Sequence, residues 1–473
     1  MKVKKIQNLD NYSGTILIPV FETTQKSIVP IEFRGLSVYS QVFYGKKDTH
    51  YLVEQHDCTH IFIGLGKEID YKGLKTIFRR ISAKQKETFG TNVILAIPDN
   101  FTGYQVEAAV SGLLLGTYNL GHYKNTALHP FLKNDFELDY TASSDFDEAM
   151  TKGIKIANAQ LQTHALVDLP PNKVTPKYLA NWAIETGKNY GFDVTVFGKE
   201  KSTEVGLHSF LSVGKGSAQE PQFIVMEYKP ENAKKHVGLV GKGITFDTGG
   251  LNIKTAGMVQ MKCDMAGGAA VLGAMQLISD LKLPVHVTAI VPACENSVDA
   301  LSFLPSDVIQ SYAGHSIEII DTDAEGRLIL ADGLSYLIKN YNPDTVVDLA
   351  TLTGSVVGTL GYECAGLFTN NEELSKNLRA AGDEIGERLW QLPLWDAYTP
   401  DIESEIADVK NYSGKPVAGA ISAAKFLEFF TNKHASWAHL DIAGVAFGDD
   451  EFAKTKHATG YGVHLITNFI EKL

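Results

Sequence analysis

The sequence predicts an α/β protein of two domains, in which the larger C-terminal domain has a central mixed sheet covered by helices on both faces. Three observations support this. The chain has 473 residues, and at roughly 150 residues per domain this length allows two or three domains. Hydrophobic residues make up 44% and charged residues 21%, as in an ordinary globular protein. Strand-like and helix-like segments also alternate along the chain, which is typical of such a sheet.

The N-terminal part of the chain has the pattern of a self-contained α/β unit. Short apolar runs at residues 15–20 and 60–66 indicate strands, and residues 104–115 indicate a helix between polar segments. We therefore expect a smaller N-terminal α/β domain over residues 1–145.

A linker helix is predicted next, over residues 146–170. Apolar side chains recur in steps of three and four from Phe146 to Leu161, which is one stripe of a helix, and Ser144 is its candidate N-cap. Three prolines between residues 170 and 176 then prevent the helix from continuing. The boundary to the second domain, residues 171–473, is placed here.

Strands and helices alternate in this second domain. Predicted strands cover residues 236–240, 285–291, 316–320 and 345–349. Predicted helices cover residues 267–281, 328–339, 418–431 and 461–472. Open α/β sheets bind ligands at the carboxyl ends of their strands, so we expect the chemistry directly after the strands named here.

Charge and composition exclude several classes of protein. The net charge of −12 disfavours a nucleic-acid partner, because phosphate neutralisation needs clustered Lys and Arg. The longest stretch without Asp, Glu, Lys or Arg is residues 108–123, too short for a bilayer span of about 20 residues. A signal peptide needs an apolar stretch after its first basic residues, and this sequence has none there. Four scattered cysteines fit reduced thiols, and the expected location is the cytoplasm.

Charged side chains gather after the predicted strands of the second domain. They are Lys242, Asp247, Lys254, Asp264, Asp323, Glu325 and Arg327. Four carboxylates close together would repel one another unless protons or cations compensate them, and two divalent ions would balance their charge. Ligation by oxygen without histidine suits Mg²⁺ or Mn²⁺, and Zn²⁺ also accepts carboxylates. Two adjacent ions suit the hydrolysis of an amide or a phosphate ester.

A simpler interpretation exists for each acid taken alone, namely a solvated turn or an ion pair with a neighbouring lysine. For Asp323 and Glu325, which precede Arg327 after a buried strand, both interpretations stay open. Other mechanisms lack their motifs: the sequence has no Walker A, HExxH or GxSxG, and residues 241–246 lack the last glycine of a dinucleotide fingerprint.

Residues 321–330, DTDAEGRLIL, closely resemble the signature of the leucine aminopeptidase (cytosol aminopeptidase) family. Residues 242–250 and 261–265 match the other metal-binding segments of that family, and the similarity covers the chain from about Leu166 to the C-terminus. Further matching segments are residues 348–354, 392–395, 407–411 and 437–444. The chain departs from the family at Asp321, where Asn is common, and in a loop before Asp264 that is one residue shorter.

The resemblance implies a site for two divalent metal ions, Zn²⁺ or Mn²⁺. The tighter ion would be held by Lys242, Asp247, Asp264 and Glu325. The more exchangeable ion would be held by Asp247, Asp323 and Glu325, so that two carboxylates bridge the pair. A lysine ligand must bind as the neutral amine, so its pKa must fall far below the ordinary value of about 10.4.

The resemblance also implies how the substrate is bound and cleaved. Lys254 would polarise the scissile carbonyl and stabilise the oxyanion. Arg327 would hold a bicarbonate anion that takes a proton from the metal-bridging water. Asp264 would bind the free α-amine of the peptide. The remaining substrate-binding residues implied are Met261, Thr351, Leu352 (through its backbone carbonyl), Gly354, Ala443 and Ala446. For Met261 and the two alanines, core packing is an equally good explanation.

The function implied is a metal-dependent aminopeptidase that releases N-terminal residues, leucine-like ones preferred, from peptides with a free N-terminus. The family also implies a homohexamer without a membrane partner. Three alternatives stay open: a narrower dipeptidase, for example for Cys-Gly; a protein with a secondary DNA-binding function, which the acidic charge disfavours; and an inactive relative, which the complete ligand set disfavours.

Overall fold

The computed structural model describes residues 3–9, 12–23, 30–55, 57–125, 127–133 and 135–473. Contacts within the chain divide it into two compact units, residues 1–158 and 159–473. Both units contain sheets and helices, which confirms the predicted α/β class.

The described part of the N-terminal unit is built on a five-stranded sheet in the order β4–β5–β1–β6–β7. Its elements are β1 (Gly14–Phe21), β2 (Ile31–Phe33), β3 (Leu36–Val38), β4 (His50–Gln55), β5 (Cys58–Gly66), α1 (Tyr71–Lys84), β6 (Asn92–Ala96), α2 (Gly103–Leu115), β7 (Glu137–Thr141) and α3 (Asp147–Asp168). The predicted strands at residues 15–20 and 60–66 lie in β1 and β5, and the predicted helix at 104–115 is α2. The buried strand β1 pairs in parallel with β5 and β6, so apolar residues on both its faces enter the core.

Helix α3 contains the stripe of apolar residues that predicts it, and Met150 and Ala157 are fully buried. Its predicted N-cap is wrong. The helix begins at Asp147, whose backbone N–H donates to the Asp145 carboxylate at 2.9 Å, so Phe146 occupies the N-cap position and Ser144 lies two residues too early. The division between the two compact units falls within α3, and its role as a linker stays a prediction.

The second unit contains a nine-stranded mixed sheet, all of it within the described residues 135–473, in the order β17–β16–β19–β15–β10–β12–β9–β8 with β11 also paired to β12. The strands are β8 (Asp193–Phe197), β9 (Gln222–Tyr228), β10 (His236–Gly241), β11 (Gly243–Asp247), β12 (His286–Asn296), β13 (Val308–Gln310), β14 (Ser316–Glu318), β15 (Thr345–Ala350), β16 (Ala365–Thr369), β17 (Leu389–Gln391), β18 (Val409–Lys410), β19 (Trp437–Asp441), β20 (Phe447–Gly448) and β21 (His457–Ala458). The helices are α4 (Pro176–Tyr190), α5 (Lys199–Val205), α6 (His208–Val213), α7 (Ala266–Asp280), α8 (Gly326–Tyr341), α9 (Gly354–Leu360), α10 (Glu372–Ile385), α11 (Gly419–Phe429) and α12 (Val463–Ile470).

Helices cover both faces of this sheet, as predicted. On β10, a Cβ at Gly238 would meet Leu337 of α8 at 2.6 Å, whereas a Cβ at Gly241 would meet the backbone of Gly267 in α7 at 2.7 Å. Because residues an odd number apart on a strand face opposite sides of a sheet, α7 and α8 lie on opposite faces of β10. The close approach of α7 therefore requires glycine at position 241, and a Cβ at Gly267 would clash with the Leu349 carbonyl of β15.

One predicted strand of the central sheet belongs elsewhere. Residues 316–320 form only the three-residue strand β14, which pairs antiparallel with β13 and parallel with β18 in a separate small sheet. The prediction of a central strand was therefore wrong at this point. As a consequence, the acidic segment that follows β14 does not continue from a strand of the central sheet.

Two further expectations concern cysteines and membranes. Cys58, Cys263, Cys294 and Cys364 are all free thiols, as their scattered spacing predicts. Among the helices within the described residues, none combines the length and the hydropathy that crossing a bilayer requires.

Candidate active site

Segments that follow strands of the central sheet and of the small sheet place the predicted site residues close together. Lys242 stands between β10 and β11, and Asp247 is the last residue of β11. Asp264 belongs to a 3₁₀ segment that leads directly into α7. Asp323 and Glu325 lie in residues 320–325, called the acidic loop from here on, which connects the small sheet to α8.

The carboxylates of these segments converge. One oxygen each of Asp247, Asp323 and Glu325 lies within 4.8 Å of the others. Lys242 joins Asp264 to this group, because its Nζ is 2.8 Å from Asp264 Oδ2 and 2.9 Å from Glu325 Oε1. The Asp323 side chain is 32% exposed, whereas the other three acids are buried. The structure thus brings all five predicted metal ligands together.

Two lysines neutralise part of this negative charge. Lys242 also donates to the backbone carbonyl of Thr351 at 3.1 Å. Lys254 Nζ lies 2.8 Å from Asp247 Oδ2 and 2.5 Å from Asp323 Oδ1. Four carboxylates share two ammonium groups, so the cluster retains an excess of negative charge.

Burial and repulsion raise the pKa values of two of the acids, Asp323 and Asp264. Burial, followed by the charges of Glu325 and Asp247, raises the pKa of Asp323 to about 7. Burial and the same two charges raise the pKa of Asp264 well above its usual range, against the opposing effect of Lys242. Burial disfavours the Lys242 ammonium, but the surrounding carboxylates outweigh burial and raise its pKa. The raised pKa values favour protonation of Asp323 and Asp264, and bound cations would offset the same negative charge.

The donor set fits divalent cations. Glu325 Oε2 is buried and has no hydrogen-bond partner among the described residues, which is costly for a carboxylate oxygen unless a cation binds it. Asp247 also directs one oxygen toward the cluster. Its Oδ1 is held by hydrogen bonds from Gly249 N at 2.8 Å and Asn296 Nδ2 at 2.9 Å, and its Oδ2 faces the other charged groups. Carboxylate oxygens are suitable ligands for Mg²⁺, Mn²⁺ and Zn²⁺.

Arg327 lies beside this cluster in the first turn of α8 and is buried. One guanidinium nitrogen donates to the backbone carbonyl of Asn411 at 2.8 Å. Its Nε is buried and has no partner among the described residues. Burial lowers the pKa of Arg327, but a guanidinium remains charged in proteins, so an anion is the natural partner for the free N–H.

A cavity of about 770 Å³ opens over the cluster. Of the predicted substrate-binding residues, Met261, Thr351, Leu352, Gly354 and Ala443 line it together with Lys254 and Asp264. Ala446 is buried, with 4% of its surface exposed, and lies outside the lining. Asn252, Ile253, Tyr412 and Lys415 also line the cavity but were not predicted. Tyr412 directly follows residues 407–411, which resemble the family, and this neighbouring motif could have indicated that Tyr412 lies near the site.

Comparison with known proteins identifies the class. Residues 162–467 match the family model described as "Cytosol aminopeptidase family, catalytic domain". The fold and the site therefore define a peptidase, a hydrolase of peptide bonds. The chain belongs to the cytosol aminopeptidase family, as its motifs predict, and is an aminopeptidase by that membership.

Individual relatives support this assignment. The chain is 45% identical to a probable cytosol aminopeptidase of Chlorobaculum tepidum over 374 residues, 76% of this chain and 74% of the relative. It is 40% identical to a probable cytosol aminopeptidase of Chloroherpeton thalassium over 433 residues, 86% and 85% of the two chains. Among solved structures, the bottromycin maturation enzyme BotP in complex with Mn is similar, with a TM-score of 0.86, 28% identity and coverage of 97% and 99%.

Proposed function

We propose that this aminopeptidase uses two divalent cations, Zn²⁺ or Mn²⁺, to remove N-terminal residues from peptides, with leucine-like residues preferred. The observation that carries the proposal is the convergence of carboxylate oxygens from Asp247, Asp323 and Glu325 within 4.8 Å, together with Glu325 Oε2, which has no partner in the described part of the chain. The similar enzyme BotP was solved in complex with Mn, which supports a divalent cation in this chain as well.

The proposed ligands follow from the family resemblance, and the convergence of these side chains supports them. Lys242, Asp247, Asp264 and Glu325 would hold the tighter cation, and Asp247, Asp323 and Glu325 the more exchangeable one. When bound, the two cations would offset the carboxylate charge and lower the pKa of water. Lys242 must then give up the proton that it shares with Asp264 and Glu325, since only the neutral amine can bind a cation.

Lys254 is placed to act on the substrate. Its side chain is 18% exposed and lines the cavity, so its ammonium can reach a bound peptide as well as Asp247 and Asp323. In the proposed reaction Lys254 donates a hydrogen bond to the scissile carbonyl and stabilises the negative charge that develops on its oxygen.

Arg327 is the proposed anion site. Its Nε, which has no partner among the described residues, and its contact with the Asn411 carbonyl suit a small planar anion, and we assign it bicarbonate. Arg327 would hold this anion next to the attacking water, and the anion would act as the general base, because the described residues of the cavity lining include no histidine.

Asp264 would receive the α-amine of the substrate and so restrict cleavage to the N-terminus. Its Oδ1 is oriented by Thr351 Oγ1 at 3.0 Å. The first side chain would extend toward Met261, Gly354 and Ala443 on the cavity wall. A cytoplasmic homohexamer and the linker role of α3 complete the proposal on the basis of the family resemblance.

Metal content and hydrolysis should be measured on the same preparations. We expect two cations per chain, loss of leucyl-amide hydrolysis after chelation and dialysis, and recovery when Zn²⁺ or Mn²⁺ is returned. A panel of aminoacyl amides and dipeptides, Cys-Gly included, then measures the preference for the N-terminal residue of the substrate. Full activity without cations would refute the two-cation proposal. Cleavage of dipeptides but not of longer substrates would instead indicate the narrower dipeptidase.

A further inference from the structure

Asn411 lies where the small sheet meets the acidic loop. It directly follows β18, which pairs in parallel with β14, the strand that leads into that loop. Its own N–H donates to the Glu318 carbonyl at 3.0 Å, which extends the pairing of the two strands by one residue. The Asn411 side chain is therefore fixed beside the start of the acidic loop, although the two are about ninety residues apart in sequence.

The amide of Asn411 uses its full hydrogen-bonding capacity on this loop. Its Oδ1 accepts from the backbone N–H groups of Ile320 at 2.8 Å and Asp321 at 3.3 Å. Its Nδ2 donates to the carbonyls of Asp321 at 2.6 Å and Ala324 at 3.3 Å. An amide offers two acceptor and two donor positions, and all four are directed at one loop. The residue is completely buried.

The backbone of Asn411 contacts a second part of the site. Its carbonyl accepts the hydrogen bond of 2.8 Å from Arg327. One residue thus holds the loop that carries Asp323 and Glu325 through its side chain, and the proposed anion-binding guanidinium through its carbonyl.

We propose that Asn411 is a positioning residue that fixes the acidic loop and Arg327 relative to the other ligands, an inference that rests on the proposed two-cation site. The loop has no regular secondary structure and its acids repel the nearby Asp247, so it depends on contacts with other segments. Asn411 supplies one set of these contacts, and Thr322 supplies another, because its Oγ1 donates to the Gly249 carbonyl at 2.7 Å. Within the loop, the N–H of Asp323 donates to Asp321 Oδ1 at 2.8 Å. That contact shapes the turn without tying it to the rest of the fold.

A residue that merely stabilises the fold would behave differently, and the chain offers a matched control. Asn468 on α12 is also buried, and its Nδ2 donates to the Ala381 carbonyl at 2.9 Å, outside the cavity lining. Asn468→Ala should lower thermal stability without changing the site. Asn411→Ala removes all four contacts, and Asn411→Asp keeps the size of the side chain but places an oxygen opposite two carbonyls.

The experiment titrates metal-free protein with Mn²⁺ by calorimetry. Loss of a group that orients ligands typically costs 10- to 100-fold in metal affinity. In both Asn411 variants, the Kd of the more weakly bound Mn²⁺ should therefore rise about 10-fold or more. Asn468→Ala should stay within about 2-fold of wild type. With saturating Mn²⁺, kcat for leucyl-amide should fall about 10-fold or more in the Asn411 variants. KM should change little, because Asp264 lies outside the braced loop.

The outcomes separate this inference from the proposed function. Wild-type protein that binds no second Mn²⁺ refutes the proposed function, and the inference falls with it. Folded Asn411 variants with wild-type Mn²⁺ affinity and kcat refute the inference alone. If neither variant folds, hydrogen exchange on the wild type decides: Ile320 and Asp321 amides that are protected before Mn²⁺ is added support the brace, and amides that become protected only with Mn²⁺ refute it.

Discussion

Two groups of buried charges in the catalytic unit differ in how completely they are paired. In the first group, Asp348 on β15 faces His439 on the adjacent strand β19. Asp348 Oδ1 lies 2.5 Å from His439 Nδ1, and Asp348 Oδ2 accepts from Trp437 Nε1 at 2.8 Å. Both oxygens of this carboxylate have a donor, and all three side chains are completely buried.

The second group is the candidate active site, where donors are fewer than acceptors. Four carboxylates share Lys242 and Lys254, and Glu325 Oε2 lacks a partner within the described residues. Burial alone therefore does not distinguish a functional acid from a structural one. The unmatched negative charge in a cavity does indicate a functional site, because an unpaired buried charge is costly unless a ligand compensates it.

The largest expected effect belongs to Glu325. Glu325→Ala removes the carboxylate proposed to bridge both cations, so kcat should fall by more than about 1,000-fold, beyond the 10- to 100-fold cost of losing a group that only orients a ligand. The measurement is leucyl-amide hydrolysis together with metal content. Asp332→Asn is the control, since Asp332 is a buried acid on α8 that accepts from backbone Phe210 and Tyr312 outside the cavity. Near-normal turnover in Glu325→Ala would contradict the bridging role.

A smaller loss is expected at Lys254. Lys254→Met keeps most of the side-chain volume but removes the ammonium that would stabilise the oxyanion, which should lower kcat by about 100- to 1,000-fold. Steady-state kinetics should show this loss in kcat with cation content retained. A change in KM alone would show that Lys254 binds substrate without assisting the chemistry.

Arg327 should have a moderate effect that depends on the anion. Arg327→Ala should slow hydrolysis by about 100-fold, the lower limit for general-base assistance, while both cations remain bound. Wild-type rates should rise with added bicarbonate, and the rates of the variant should not. If elemental analysis shows that the variant has lost its cations, Arg327 has a structural role instead.

The smallest effect on catalysis is expected in the group around Asp348, whose two carboxylate oxygens both have a donor. Asp348→Asn should leave kcat within about 2-fold but lower the free energy of unfolding by about 3 kcal/mol, the cost of breaking a buried pair. Burial alone would lower the pKa of His439, but Asp348 outweighs burial and raises it. The stabilising contribution is therefore complete below about pH 6.5 and declines as the pH rises through the raised pKa of His439.

Denaturant unfolding of wild type and Asp348→Asn between pH 6 and 9 measures this dependence. The deficit of the variant should be largest at pH 6 and shrink at higher pH. A deficit that grows with pH would show that neutral His439, not the ion pair, provides the stability.

Much of the site could be predicted from sequence because its ligands lie in short motifs next to strands. The family resemblance indicates both Asp247 and Glu325, and hydrophobic patterning places Glu325 shortly before the helix that is α8. Patterning does not predict β11, the strand that ends at Asp247. The role of Asn411 could not be predicted, since its partners in the acidic loop become neighbours only through the pairing of β14 with β18. Strands of two or three residues are too short to show a periodic pattern, which is also why residues 316–320 were assigned to the wrong sheet.

Anomalous diffraction from crystals of active, Mn²⁺-loaded protein tests the proposed centre most directly. Two anomalous peaks roughly 3.5–4 Å apart, bounded by Asp247, Asp323 and Glu325, are the expected result. A single peak, or peaks away from these three carboxylates in crystals that retain full activity, would contradict the two-cation site.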